Sequence, residues 1–169
     1  MREIFPVQRT LDQIDIADIK IDSRSRDDIP LILAGLQHIY CRDDLREALF
    51  AILKDLRPTQ QIDGKAEPVS AELGCPGMNQ WTILVLGSLR LCLNADYDRL
   101  QELANQHRTL RQMLGLADWD DKQFALQTLK DNLTLFTPEI LARVNQAVVE
   151  AGYALLGKKK LPRTGRRPL

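Results

Sequence analysis

The sequence predicts an all-α chain in which a helical hairpin precedes a small helical bundle containing a helix-turn-helix. Three observations predict it. Apolar residues recur at steps of three and four in segment after segment, which gathers them on one face of a helix. Acids, Asn or Thr stand just before most of these segments, where a helix start needs side-chain acceptors. Only residues 14–21 approach the period-two alternation of a strand, and no second segment alternates well enough to pair with them.

Residues 1–25 are expected to form an extended arm. Ile14, Ile16, Ile19 and Ile21 supply its apolar positions, and Ala17 breaks the alternation. Without a partner strand, such an arm is expected to lie on another surface of the protein.

Residues 26–57 predict the hairpin. Asp27-Asp28-Ile29-Pro30 is a start signal, with acids at the positive helix end and Pro in the first turn. Ile29, Leu31, Ile32, Leu33, Leu36 and Ile39 follow as one stripe. A second start at Asp43-Asp44 leads into Leu45, Ala48, Leu49, Ile52, Leu53 and Leu56, with Cys41 near the corner. Residues 58–77 hold Pro58, Pro68 and Gly74-Cys75-Pro76-Gly77, and are expected to be a loop or linker.

Residues 78–157 predict the bundle. Met78 to Leu93 is apolar nearly all round, as a central helix must be. The next helix starts after Asn94 or Asp96, either of which can cap it, and runs to Asn105, a residue able to take the left-handed conformation of a tight turn. A short helix from Arg108 stops at Gly115. Trp119-Asp120-Asp121 is expected to open a further helix with Phe124, Leu126, Leu129 and Leu133 inward. Thr137-Pro138-Glu139 opens the last, through Ile140, Leu141, Val144, Val148 and Val149 to about Leu156. The expected total is about seven helices.

Residues 158–169 form a basic tail. The 169-residue chain carries 23 Lys and Arg against 23 Asp and Glu, yet six of those bases, Lys158, Lys159, Lys160, Arg163, Arg166 and Arg167, lie in the tail with no acid. The remaining 17 bases face 23 acids, so an acidic body bears a basic end that can contact phosphates or fold back on the body. A solvated end has the same composition.

Composition excludes several classes. At 44% hydrophobic and 27% charged residues the chain is neither collagen-like nor wholly disordered. Aromatic residues make up only 5%, which argues against an aromatic-lined single-strand binder. Three cysteines without a CxxC spacing argue against a disulfide framework and a zinc site. The first residues lack the apolar segment of a signal peptide, and the run from Trp81 to Leu93 is too short to span a bilayer and contains Arg90. An intracellular, cytoplasmic chain with no membrane partner is therefore expected.

No catalytic constellation emerges. The pairs Asp27-Asp28, Asp43-Asp44 and Asp120-Asp121 each precede an apolar periodic run, which helix capping explains. His38 borders an apolar stripe, and nothing near Cys75 in sequence would lower its pKa. There is no HExxH, GxSxG or phosphate loop, and no catalytic residue, metal ligand or cofactor is assigned.

The helix pair at 97–115 is more informative. At about 100° per residue, Arg108, Arg111 and Gln112 share one face while Leu110, Met113 and Leu114 share the other. Leu100 and Leu103 on the preceding helix offer an apolar partner. Two short helices with a tight turn fit a helix-turn-helix, in which Arg pairs with guanine and Gln with adenine. His107 and Arg108 stand where the second helix would meet bases or phosphates. The same pattern also describes a plain solvated helix face.

The stretch Gly77-Met78-Asn79-Gln80-Trp81-Thr82-Ile83-Leu84-Val85-Leu86-Gly87, with Leu89-Arg90-Leu91 and Asp96 through Gly115, resembles the N-terminal part of bacterial insertion-sequence transposases of the ISNCY type. Ser25 to Pro30, Gly35-Leu36-Gln37 and Leu141 to Val149 are similar to the same group, so the resemblance covers about residues 1–160. It implies recognition of the element's terminal inverted repeats in double-stranded DNA. His107, Arg108, Arg111 and Gln112 would lie at the bases, and Arg99, Lys122 and Lys158, Lys159 and Lys160 at phosphates. In the family an RNase-H-like domain with three metal-binding acids follows the Lys-Lys-Lys stretch, whereas nine residues follow Lys160 here. The expectation is a truncated chain that binds DNA without cutting or joining it, so it is not an enzyme. Cys75 departs from the basic residue expected in the Gly-x-Pro-Gly turn. The other expectation is a protein-interaction module, in which the apolar stripes of the hairpin pair with another copy or with intact transposase and inhibit it.

Overall fold

A computed structural model describes residues 11–22, 24–54, 56, 59–62, 65–68 and 78–155, without the side chains of 59–62, 65–68 and 151–155. Cys75 and the tail lysines Lys158, Lys159 and Lys160 lie outside the described residues. Seven α-helices account for most of what is described: α1 Asp28–Cys41, α2 Asp43–Leu53, α3 Gln80–Leu93, α4 Tyr97–Gln106, α5 Arg108–Met113, α6 Leu126–Leu133 and α7 Pro138–Leu155. The fold is all-α apart from a two-stranded antiparallel hairpin, β1 Thr59–Ile62 and β2 Lys65–Pro68, with Thr59 opposite Pro68 and Ile62 opposite Lys65. That hairpin replaces part of the loop expected over 58–77.

The arm is not extended throughout. Ile16–Asp18 form a 3-10 turn capped by Asp15, whose carboxylate accepts from the Ala17 N–H at 3.1 Å. Ile16 and Ile19 bury against α1, as expected of an arm that needs another surface. Its backbone is held by Gln37 of α1, which donates from Nε2 to the carbonyls of Ile16 at 2.8 Å and Ile19 at 2.9 Å.

Helix starts follow the acids in part. Asp27 caps α1 through the Ile29 N–H. Asp43 and Asp44 occupy the first turn of α2, but its cap residue is Arg42, which makes no side-chain cap. These two acids instead pair with Arg46 and Arg42, and Arg46 also donates to the Tyr40 carbonyl at 3.1 Å, closing the one-residue corner between α1 and α2. Asp120-Asp121 caps nothing, because residues 114–125 are irregular and α6 begins only at Leu126. At α7, the Thr137 hydroxyl accepts from the Ile140 N–H.

One apolar cluster joins the arm, both front helices and the back helices. From α3, Trp81 through Gly87 and Leu89 are buried, which makes it the central helix. α1 packs on α3, and α2 packs on both α3 and α7. Leu33, Leu36, Leu45, Leu49 and Leu53 are thereby buried inside the chain's own core. Leu31 and Val149, expected inward, are exposed. Gly87 lets Phe136 approach: a Cβ there would stand 3.0 Å from the Phe136 ring. No helix among the described residues is long and apolar enough to cross a membrane.

Candidate nucleic-acid interface

Local sequence sets the two helices at 97–113. Asn94 takes the left-handed conformation (φ 48°) and stops α3, with Ala95 N–H on the Arg90 carbonyl and Asn94 N–H on that of Leu91. This is the paired bonding that closes many helices. Asp96 then caps α4, accepting from the Arg99 N–H at 2.8 Å. The left-handed residue is thus Asn94 and not Asn105, which remains helical.

His107 alone joins α4 to α5. It is extended (φ −79°, ψ 105°), and its Nδ1 accepts from the Leu110 N–H at 3.2 Å, capping α5. One residue here is shorter than the three or four of the usual helix-turn-helix corner. Leu110 and Met113 bury beneath α5 as the helical wheel requires. Gly115, at φ 79°, ends the helix, with its N–H on the Gln112 carbonyl and that of Leu116 on the Arg111 carbonyl. A side chain at this φ would be strained, so glycine is the residue that permits the turn.

Beyond Gly115 the chain folds back over the polar face of α5. Ala117 and Phe124 are buried at the two ends of this return, and Trp119 between them is 63% exposed. Asn105 pairs with the Phe124 backbone in both directions, accepting from its N–H at 2.7 Å and donating to its carbonyl at 3.1 Å. Gln101 donates to the same carbonyl. Arg111 donates to the carbonyls of Lys122, at 2.9 Å, and Asp120, and more weakly to those of Ala104 and Asn105. Its guanidinium therefore ties the end of α4 to the returning loop.

Asp118 on this loop faces α5. Its Oδ2 accepts from Arg108, at 3.0 Å for Nε and through a second bond from Nη2. Its Oδ1 accepts from Gln112 Nε2 at 2.9 Å. The hydrogen bond from Arg108, then the one from Gln112, holds the Asp118 carboxyl below the usual carboxylate range. The same contact raises Arg108 above its ordinary value.

The residues assigned to DNA therefore divide. Arg108 is at the surface, its side chain 76% exposed despite the ion pair. His107 is half-buried, and Lys122 is exposed with its Nζ 5.7 Å from the centre of the Phe124 ring. Gln112 does not project to solvent: it is 8% exposed, with its amide on Asp118. Arg111 is half-buried and committed to backbone carbonyls. Arg99 pairs with Glu102 at 2.7 Å and lines a different groove, with Asp27 and Asp96. Sequence reasoning missed Asp118, which sits beyond the Gly115 stop and follows no periodicity, and it missed the pairing of Asn105 with the Phe124 backbone.

Among the described residues no group of three His, Cys, Asp or Glu is placed to hold a metal. The Cys41 thiol is pushed up by partial desolvation and then by Asp15, which disfavours a thiolate nucleophile. Searches against protein-family models, curated proteins and solved structures found no match to this chain.

Proposed function

We propose that the chain binds duplex DNA as the end-recognising part of an insertion-sequence transposase of the ISNCY type, with Arg108 as its leading contact. The resemblance over residues 77–115 supports the family. The observation that carries the geometry is the exposure of Arg108 at the first position of α5, on a helix whose Arg111 and Gln112 side chains are engaged by the returning loop. Arg108 and His107 stand at the edge that would enter the groove, while Lys122, Arg99 and the tail lysines supply phosphate contacts. Phosphate contacts set affinity and its salt dependence, and base contacts set sequence choice. Arg111 and Gln112 act in this reading by holding the loop and Asp118 beside Arg108. The residues are assigned to binding, not to strand cleavage.

The test uses the inverted repeats that the reading expects in the genomic DNA flanking the gene. A duplex carrying one repeat is titrated with the full chain by fluorescence anisotropy across a salt series, beside a scrambled duplex. Preferential binding of the repeat, weakened by Arg108→Ala, supports the reading. Equal affinity for both duplexes, or no binding at low salt, sinks it.

A further inference from the structure

We propose that Asp118 is an intramolecular stand-in for the hydrogen-bond acceptors of duplex DNA, masking Arg108 until the duplex displaces it. The inference rests on the duplex-binding reading above and adds its regulation. A carboxylate that takes two hydrogen bonds from one guanidinium offers the arginine what the acceptors of a base edge would offer. Here Nε and Nη2 of Arg108 both donate to Asp118 Oδ2, while the other oxygen faces the same helix and takes Gln112. Both oxygens are thus spent on the polar face of α5.

The mask is built to open. The Arg108 and Asp118 side chains are 76% and 42% exposed, and an exposed ion pair is worth little against a competing anion. A groove of about 260 Å³ runs beside the pair, lined by Asn105, Gln106, Arg108, Arg111, Ala117 and Asp118. Asp118 stands on the part of the return that projects between its buried ends, Ala117 and Phe124. Arg111 holds the Asp120 and Lys122 carbonyls, so the loop keeps its anchorage when the Arg108 contact is exchanged. Gln112 keeps its acceptor if Asp118 stays in place, so the exchange frees only the exposed arginine.

A double-mutant cycle in the full chain, read with the inverted-repeat duplex, tests this. Asp118→Asn keeps the acceptor for Gln112 but removes the charge that holds Arg108. It is expected to tighten binding about fivefold, the upper range for releasing an exposed pair. In an Arg108→Ala background the same change is expected to gain less than about twofold, because there is nothing left to unmask. Asp121→Asn, an exposed acid in the same loop, controls for charge alone and should act equally in both backgrounds. Thermal melts of each variant confirm folding, and the Arg108 Nε–H resonance should move in Asp118→Asn without DNA. If Asp118→Asn leaves affinity unchanged, or tightens it equally with and without Arg108, the mask is refuted while duplex binding stands. If neither the wild type nor any variant binds duplex at low salt, the binding reading falls and the mask falls with it.

Discussion

The indole of Trp81 donates from Nε1 to the carbonyl of Met113 at 2.9 Å, a buried bond between the central helix and the end of α5. The ring also meets Tyr40 of α1 and Phe50 of α2, with centroids 5.1 and 6.2 Å away. One side chain therefore links the front hairpin to the helices that present Arg108. Trp81→Phe keeps most of the ring but leaves the Met113 carbonyl without its donor. The expected loss is about 2 kcal/mol of unfolding free energy, read from urea denaturation. A loss under about 0.5 kcal/mol would mean that the bond contributes nothing net.

The two arginines of α5 should separate cleanly. Arg111→Ala removes donors from four backbone carbonyls and frees the loop carrying Asp118, so about 2 kcal/mol of stability is expected to go. Lys in its place cannot span the same carbonyls and should not restore it. Arg108→Ala touches one exposed pair and should leave stability nearly unchanged. It should instead lower affinity for the repeat and narrow its margin over a scrambled duplex. Paired denaturation and anisotropy measurements decide, and equal destabilisation by both would refute the division of roles.

Gln37 should decide whether the arm stays down. Its Nε2 reaches three arm carbonyls, those of Ile16, Ala17 and Ile19. Gln37→Ala is expected to cost about 1–2 kcal/mol. It should also speed amide exchange over residues 15–21 while exchange in α3 keeps its rate. Unchanged arm protection would show that Ile16 and Ile19 hold it by burial alone.

Acid should loosen the helix starts and the loop together. The Asp44, Asp118 and Glu139 carboxyls are lowered, first by the Arg42, Arg108 and Thr137 side chains respectively. A carboxyl lowered in the folded state stabilises above its unfolded value, about pH 4, and loses that contribution as pH falls through the folded value. Melting temperature should thus hold above about pH 5 and fall below pH 4, with a shallower fall in Asp118→Asn. Identical acid limbs in the wild type and that variant would remove Asp118 from the effect.

Much of this molecule follows from short stretches of chain. Asp27 and Asp96 cap the helices they precede, Thr137-Pro138-Glu139 opens α7, and Gly115 closes α5. Each depends on a side chain reaching a backbone group a few residues away, so local sequence suffices. The stripes of α1 and α2 follow from helical periodicity and the central place of α3 from its all-round apolar run, and the all-α class with them. The strand pair at 59–68 had a local signal too, in the Asp63-Gly64 dipeptide between its strands, a pair favoured in two-residue hairpin connections. The Arg/Arg/Gln face of α5 was equally plain as an angle around a helix. What covers that face was not, because a helical wheel describes one helix alone. Asn105 binds Phe124 across nineteen residues and Gln37 binds Ile16 across twenty-one. Contacts at such separations carry no periodicity, and only the packed chain decides that Gln112 is buried, that Arg111 holds a loop and that Arg108 remains at the surface.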